Sequence, residues 1–266
     1  MSTVKTDAIE TAAGGTSVLT LGTATQTLKI PGGGVGASKV LTSDAVGGAT
    51  WAAASGGGTG GLHAVRIKTS SDATYQPAAD VTKLVVHCQG AGGGASNSGG
   101  SKGVAGAAAG GYVMAELAVT SATVINVQVG AGGPAGVGSE GVGGDGNPSS
   151  VTYVSGGSSF TTITCGGGEK GTIAAGSQDT TVGGSAAGPT GCLAIVGGSG
   201  SNWGANNGEH HGGDSMFGFG GRPDATGDPR NASGQGYGSG ASGGDEASGI
   251  GYIGQPGIVI IYEYKG

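Results

Sequence analysis

The stretch VTKLVVHCQGAGGG, residues 81–94, joins a β-strand pattern directly to a run of glycine. Alternation along its first part places Leu84, Val86 and Cys88 on one face, as expected of a strand with one buried side. The glycine run that follows has too few apolar side chains to form a core of its own. The sequence therefore predicts strands that are joined by glycine-rich connections, and these connections do not pack through side chains.

Seven further segments carry a similar strand pattern, rich in β-branched and apolar residues. They are residues 64–68, 112–117, 123–129, 151–154, 160–165, 193–196 and 258–264. No segment has a helical period of adequate length. We therefore expect an all-β fold, with an antiparallel β-sandwich or jelly roll as the architecture of residues 61–266.

Between these strands, glycine recurs at every third position in four series. The series are Gly100, Gly103, Gly106; Gly130, Gly133, Gly136; Gly138, Gly141, Gly144; and Gly251, Gly254, Gly257. Because a polyproline-II helix has three residues per turn, such a series presents one edge of bare backbone. Neighbouring helices could then exchange N–H···O bonds and satisfy their buried polar groups. This pattern predicts polyglycine-II-type segments; the alternative is flexible loops, since ordering glycine has a high entropic cost.

The composition excludes several classes of protein. Glycine accounts for 66 of 266 residues, but the chain has only 8 prolines and no continuous G-x-y period, which excludes collagen. The formal net charge of −6 and the lack of a Lys/Arg cluster argue against binding to nucleic acid or to anionic membrane. No apolar run is long enough for membrane insertion.

The first 60 residues form a separate region of short, threonine-rich apolar pieces. Leu19 and Leu21 would share one side of a strand, and so would Leu28 and Ile30. Each piece is too short to build its own core, and three copies together could supply one. We therefore expect residues 1–60 to be a trimerising stem of a homotrimer, followed by the domain of residues 61–266.

Two parts of the chain resemble known proteins. GASKVLTSDAVGGATW, residues 36–51, is similar to a neck sequence of bacteriophage tail fibres. The ordered pieces SSDATYQPAADVTKLVVHCQGAGGG, GGYVMAELAVTSATVINVQVGAGG, GNPSSV and PGIVIIYEY, within residues 70–264, resemble the glycine-rich domain of phage tail proteins. The resemblance implies a trimeric fibre with an adhesin tip, assembled in the host cytoplasm, located in the virion and joined to other tail proteins.

One stretch between the strands, GSNWGANNGEHHGGDSMFGFGGR at residues 200–222, is typical of a binding surface. Aromatic residues among glycine and asparagine give contact area at small entropic cost. The candidate receptor-binding residues here and in a second loop are Trp203, Asn206, Asn207, His210, His211, Met216, Phe217, Phe219 and Tyr237. The alternative for Met216, Phe217 and Phe219 is that they plug the core.

No catalytic, metal or cofactor motif stands out, so we expect neither an enzyme nor a cofactor. Glu209, His210, His211 and Asp214 could ligate a metal ion, but adjacent histidines on one loop are more often simply polar. The leading hypothesis is a phage adhesin that binds a protein or glycan receptor on the bacterial surface. Alternatives are a structural virion fibre or head-decoration protein and, with less support, an ice-binding protein.

The three cysteines, Cys88, Cys165 and Cys192, do not have metal-ligand spacing. We expect them to be reduced and at least partly buried, with a disulfide between Cys165 and Cys192 as the alternative.

Overall fold

The computed structural model divides the chain into two compact units, Met1–Gly57 and Gly58–Gly266. The structure describes residues 39–43, 49–53, 61–97, 103–138, 140–174, 180–201, 210–222, 233–243 and 251–266. Every structural statement below refers to these ranges.

In the first unit, the described residues form one antiparallel strand pair. Strand β1 (Lys39–Ser43) pairs with β2 (Ala49–Ala53), and Leu41 lies opposite Trp51. The predicted strands around Leu19 and Leu28 lie outside the described residues.

The second unit is all-β, and its described residues contain no helix. Its strands are β3 (Leu62–Lys68), β4 (Asp72–Tyr75), β5 (Val81–Gln89), β6 (Gly103–Val104), β7 (Tyr112–Ala118), β8 (Val124–Gln128), β9 (Ser149–Ser155), β10 (Ile163–Cys165), β11 (Ile173–Ala174), β12 (Ala186–Ala187), β13 (Leu193–Ile195), β14 (Phe217–Phe219), β15 (Gln235–Tyr237) and β16 (Ile258–Lys265). The predicted all-β class is thus confirmed, and all eight predicted strand segments overlap observed strands.

Most of these strands belong to two five-stranded antiparallel sheets. The first sheet has the order β12-β10-β9-β8-β4, and the second has the order β13-β7-β5-β16-β3. Both sheets contribute inward side chains to a single core, so the two sheets face each other. The buried core residues are Tyr75, Val81, Leu84, Val86, Cys88, Val113, Ala115, Leu117, Val119, Ile125, Val127, Val151, Ile163, Cys165, Val259 and Ile261.

The cysteines are free thiols, and two of them lie side by side in this core. Cys88 and Cys165 are buried, and the Cys165 thiol donates to the Cys88 carbonyl over 3.1 Å. The hydrogen bond from Cys165 and burial both raise the pKa of the Cys88 thiol. Cys192 is half-buried against the core, and the alternative disulfide with Cys165 is not formed.

Ten glycine-rich segments leave the ends of the strands and pack against one another. We call them the glycine lattice; they are residues 90–97, 103–111, 130–136, 141–147, 166–172, 180–185, 197–201, 210–213, 238–243 and 251–257. Backbone N–H···O bonds of mostly 2.8–3.2 Å join each segment to its neighbours. The lattice is therefore held together by main chain more than by side chains.

Segment 90–97 shows that the bonding partner returns at every third residue. Gly90 and Gly93 donate to segment 103–111; Ala91, Gly94 and Asn97 to segment 141–147; Gly92 and Ala95 to segment 251–257. Its carbonyls accept from three other segments, 130–136, 166–172 and 238–243. Segment 90–97 is thus surrounded by six segments, and its repeat is the one expected of a helix with three residues per turn.

A second central segment, 103–111, is surrounded in the same way. Its amides donate to segments 166–172, 197–201 and 238–243, and its carbonyls accept from 90–97, 180–185 and 210–213. All its residues whose side-chain environment is described, 104–111, are buried. The two central segments adjoin, so the ten segments form one continuous lattice.

The predicted glycine series occupy this lattice, with one exception. Gly251, Gly254 and Gly257 donate to Gly136, Gly133 and Gly130, so two of the predicted series bond directly to each other. The exception is Gly138, which lies in a turn with φ +83° and has open space around it. Its series therefore contributes only its later members, Gly141 and Gly144, to the lattice, and Gly100 lies outside the described residues.

The lattice has two distinct ends. At the sheet end, Gln89 ends β5 just before segment 90–97, and Tyr112 begins β7 just after segment 103–111. The Gln89 side chain is buried, and its Nε2 donates to the carbonyls of Gly110 and Gly111 over 2.8 and 3.1 Å. This amide therefore joins the second sheet to the lattice.

At the opposite end, which we call the far end, the chain turns back between lattice segments. β6 pairs with β11 there, Asn97 donates to Gly141, and Gly243 donates to His210. The described residues on both sides of 98–102, 175–179, 202–209 and 244–250 lie at this end. The two five-stranded sheets lie at one end of the lattice, and four connections begin and end at the other.

Candidate functional site

The nine predicted receptor-binding residues do not form a single cluster. Trp203, Asn206 and Asn207 lie outside the described residues, within the connection between Ser201 and His210. The remaining six residues lie in two separate places, the far end of the lattice and its sheet end.

His210 and His211 lie at the far end of the lattice. Both are half-buried, and their carbonyls accept hydrogen bonds from Gly243 over 3.2 Å and from Ser201 over 3.0 Å. The lattice therefore fixes the backbone of both histidines beside the connections 202–209 and 244–250. The two histidines are thus the part of the predicted binding stretch 200–222 that lies at the far end.

Met216, Phe217, Phe219 and Tyr237 lie instead at the sheet end, on the hairpin of β14 and β15. Phe217 pairs with Tyr237 across the hairpin, and its ring contacts that of Tyr112 edge-on with 5.7 Å between centroids. Phe217 therefore lies beyond the sheet end of the lattice, whereas the carbonyl of His211 accepts from Ser201 at the far end. After Phe219 the chain turns back, and Gly220 packs against the backbone of Gly212, which follows His211.

The alternative for Met216, Phe217 and Phe219 was that they fill the core, but none of the three belongs to the core between the sheets. Phe217 is half-buried on the outside of the second sheet, whereas Phe219 and Met216 are exposed. The hairpin is tied down by Ser215, whose hydroxyl donates to the carbonyl of Tyr237 over 2.6 Å. Gln89 also accepts from the amide of Met216 over 3.3 Å.

The carboxylate of Glu263 is buried, although no pattern in the sequence was taken to indicate this. Its side chain is 1% exposed, and it accepts from the Tyr75 hydroxyl over 2.5 Å and from Arg66 Nε over 3.4 Å. Nε2 of His63 lies 3.9 Å from the other carboxylate oxygen. Burial and the Glu263 hydrogen bond raise the pKa of the Tyr75 phenol.

This cluster links strands of both sheets, because Tyr75 is on β4, Glu263 on β16 and Arg66 on β3. Alternation in GIVIIYEY could have revealed it, since Glu263 has the same parity as the inward Val259 and Ile261. Within a closed core a carboxylate with these donors acts as a structural anchor.

His87 and Tyr112 form a smaller polar pair on the outside of the second sheet. The Tyr112 hydroxyl lies 2.8 Å from His87 Nδ1, and the His87 ring also contacts that of Tyr262. Burial lowers the pKa of His87 and raises that of Tyr112. Both shifts favour the neutral forms of the two side chains, and in these forms the hydroxyl and Nδ1 can still share a hydrogen bond.

The described residues form neither a metal site nor a membrane-spanning helix. In the ranges that the structure describes, no three His, Cys, Asp or Glu side chains come together in a way that could hold a metal ion. None of the described residues forms a helix that is long and apolar enough to cross a membrane.

A sheet-based core joined to a glycine lattice defines a glycine-rich all-β domain protein. The profile of the family described as a glycine-rich domain matches residues 67–264. The chain belongs to this family. The match covers the whole lattice and both sheets, apart from the first five residues of β3 and the last residue of β16. A search of curated proteins found no match.

Proposed function

We propose that this chain is the receptor-binding fibre protein of a bacteriophage, with a homotrimeric stem at residues 1–60 and a tip that contacts the bacterial surface. In this proposal the lattice is a polyglycine-II-type bundle attached to a jelly-roll-like sandwich. The protein is assembled in the host cytoplasm, joins other tail proteins in the virion and is not an enzyme.

The observation that carries the proposal is the common end of the four connections. The residues that flank 98–102, 175–179, 202–209 and 244–250 are held by backbone bonds at the far end of the lattice. Because those bonds do not depend on side chains, the sequence of the connections can vary without changing the scaffold. An adhesin needs this separation of a rigid support from variable contact residues.

The sequence of one connection supports a binding role. Residues 202–209 read NWGANNGE and contain Trp203, Asn206 and Asn207, while His210 and His211 follow directly. Tryptophan is the residue type most enriched at binding hot spots, and asparagine supplies adaptable hydrogen bonds. In a trimer each such contact occurs three times, which raises the avidity for a surface receptor.

The experiment measures adsorption of the purified full-length chain to a panel of bacterial strains. On a strain that binds the parent, Trp203→Ala should lower adsorption at least about tenfold, which corresponds to about 1.4 kcal/mol. The matched control replaces residues 175–179 with glycine and serine, because this connection also starts and ends at the far end but contains no aromatic residue.

Three results would count against the proposal. Undiminished adsorption of Trp203→Ala would remove Trp203 from the site. An equal loss in the control would show that the scaffold, and not the aromatic contact, was affected. Absence of binding to every strain in a broad panel would favour the structural fibre or head-decoration protein.

A further inference from the structure

The second sheet has an outward face that is unusually apolar. One row of paired residues crosses all five of its strands: Leu193, Met114, His87, Ile260 and Ile67. The adjacent row contains Val85, Tyr262 and Val65. We call the residues of these two rows the outward face.

Several of these side chains are open to solvent in the single chain. Ile67 is 64% exposed, Leu193 is 46% exposed and Met114 is 36% exposed. Scattered exposed apolar residues are normal, but a row that runs in register across a whole sheet is a contiguous patch. A patch of this kind marks a surface that another macromolecule covers.

The edge of strand β3 also indicates a contact with another chain. In the part of the chain that the structure describes, β3 pairs only with β16, so its other edge has no ladder partner. Five of its seven residues are exposed, and Leu62, Val65 and Ile67 are among them. An exposed edge strand that carries three large apolar side chains is a site where another chain can associate.

The charge of this face indicates what kind of partner fits. On the outward side of β5 and β7 the charged residues are Lys83 and Glu116, which pair with each other at 3.5 Å. Arg66 of β3 pairs instead with the inward Glu263. The face is therefore neutral in a chain whose formal net charge is −6. Two copies of an acidic chain repel each other over most of their surface but can meet at a neutral apolar face.

The order of the chain also favours a second copy. β3 is the first strand after the boundary between the units at Gly57 and Gly58. If residues 1–60 associate as proposed, the β3 strands of the copies are held at high effective concentration. Contact between tips then requires little further affinity.

We propose that the outward face, together with strand β3, packs against a second copy of this chain. This inference rests on the proposed trimer and adds a tip-to-tip contact to the association through the stem. The β14–β15 hairpin lies beside this proposed contact, because the ring of Phe217 contacts that of Tyr112 on β7.

The test places a photo-crosslinking residue, p-benzoylphenylalanine, at position 67 of the full-length chain. Irradiation should give a covalent dimer on a denaturing gel, with a yield that stays constant over a tenfold dilution. The matched control places the same residue at Val182, which is equally exposed at 61% but lies in the lattice. The control should give at least about fivefold less dimer, since a specific contact is local.

The outcomes separate this inference from the proposed function. If the chain has the mass of a trimer but position 67 crosslinks no better than position 182, the outward face is not the contact and the trimer stands. A dimer yield that falls in proportion to the protein concentration would likewise show that the outward face is not a contact within the trimer. If the chain has the mass of one copy, the inference and the trimer both fail, while the adsorption experiment still tests receptor binding.

Discussion

Gly133 lies at a point of the lattice where three segments approach each other. A Cβ there would overlap with the carbonyl oxygen of Gly144 and with the amide nitrogen of Gly94, which are both backbone atoms. Neither atom can move without shifting its own segment. We therefore expect Gly133→Val to destabilise the protein by about 1–3 kcal/mol, as strained or overpacked positions do.

Chemical denaturation of matched variants checks this. Ala131→Val is the control, because Ala131 belongs to the same segment but is exposed. Gly141→Val should behave like Gly133→Val, since a Cβ on Gly141 would overlap with the backbone of Val137. If all three variants unfold at the parent's midpoint, these segments do not pack as described.

Tyr75 supplies the shorter of the two hydrogen bonds to the buried Glu263 carboxylate. Tyr75→Phe removes the 2.5 Å hydrogen bond and leaves Arg66 Nε, at 3.4 Å, as the donor. A buried charged acceptor that loses its donor costs about 1–3 kcal/mol. Thermal melting should therefore show a clear loss of stability.

Tyr153→Phe is the control for this change, because the Tyr153 hydroxyl makes only an exposed 3.5 Å contact with the Gly157 carbonyl. It should change stability by less than about 0.5 kcal/mol. Equal melting temperatures for the two variants would contradict the anchoring role of Glu263.

At the scale of the elements, segment 90–97 should be among the best protected parts of the backbone. Its amides point to three neighbouring segments and its residues are buried, so exchange requires the lattice to open. Hydrogen exchange read by mass spectrometry should be at least about 100-fold slower there than in residues 156–162, an exposed connection. Similar rates in the two peptides would show that the lattice is not ordered in solution.

Much of this element structure could be predicted, because its signals are local. Alternation in VTKLVVHC and GIVIIYEY indicated β5 and β16, and the glycine phase at Gly130 and Gly251 indicated two segments that the structure places in the lattice. Such patterns depend on residues that are two or three positions apart.

Other features depend on how distant segments are placed relative to each other. Phe217 and His211 are six positions apart in the chain and were expected at one site, but the extended lattice carries them to opposite ends. The partners of Glu263 are equally remote, since Tyr75 precedes it by 188 residues. No short pattern contains this information.

At the scale of the whole molecule, we expect a homotrimer. Among the described residues, the outward face of the second sheet exposes apolar side chains. The short apolar pieces within residues 1–60 are predicted to need other copies to form a core. Light scattering should give a mass near three times the 24.7 kDa of one chain. A mass of one chain at micromolar concentration would contradict this expectation.

The three-residue repeat of the lattice acts like a reading frame. One extra residue inside segment 130–136 would turn Gly136 by about 120° and present a side chain where Gly251 now donates its hydrogen bond. Three extra residues would keep the frame and lengthen the segment by about 9 Å. Lattice segments can therefore grow or shrink only in whole triplets, whereas the connections at the far end can change by any number of residues.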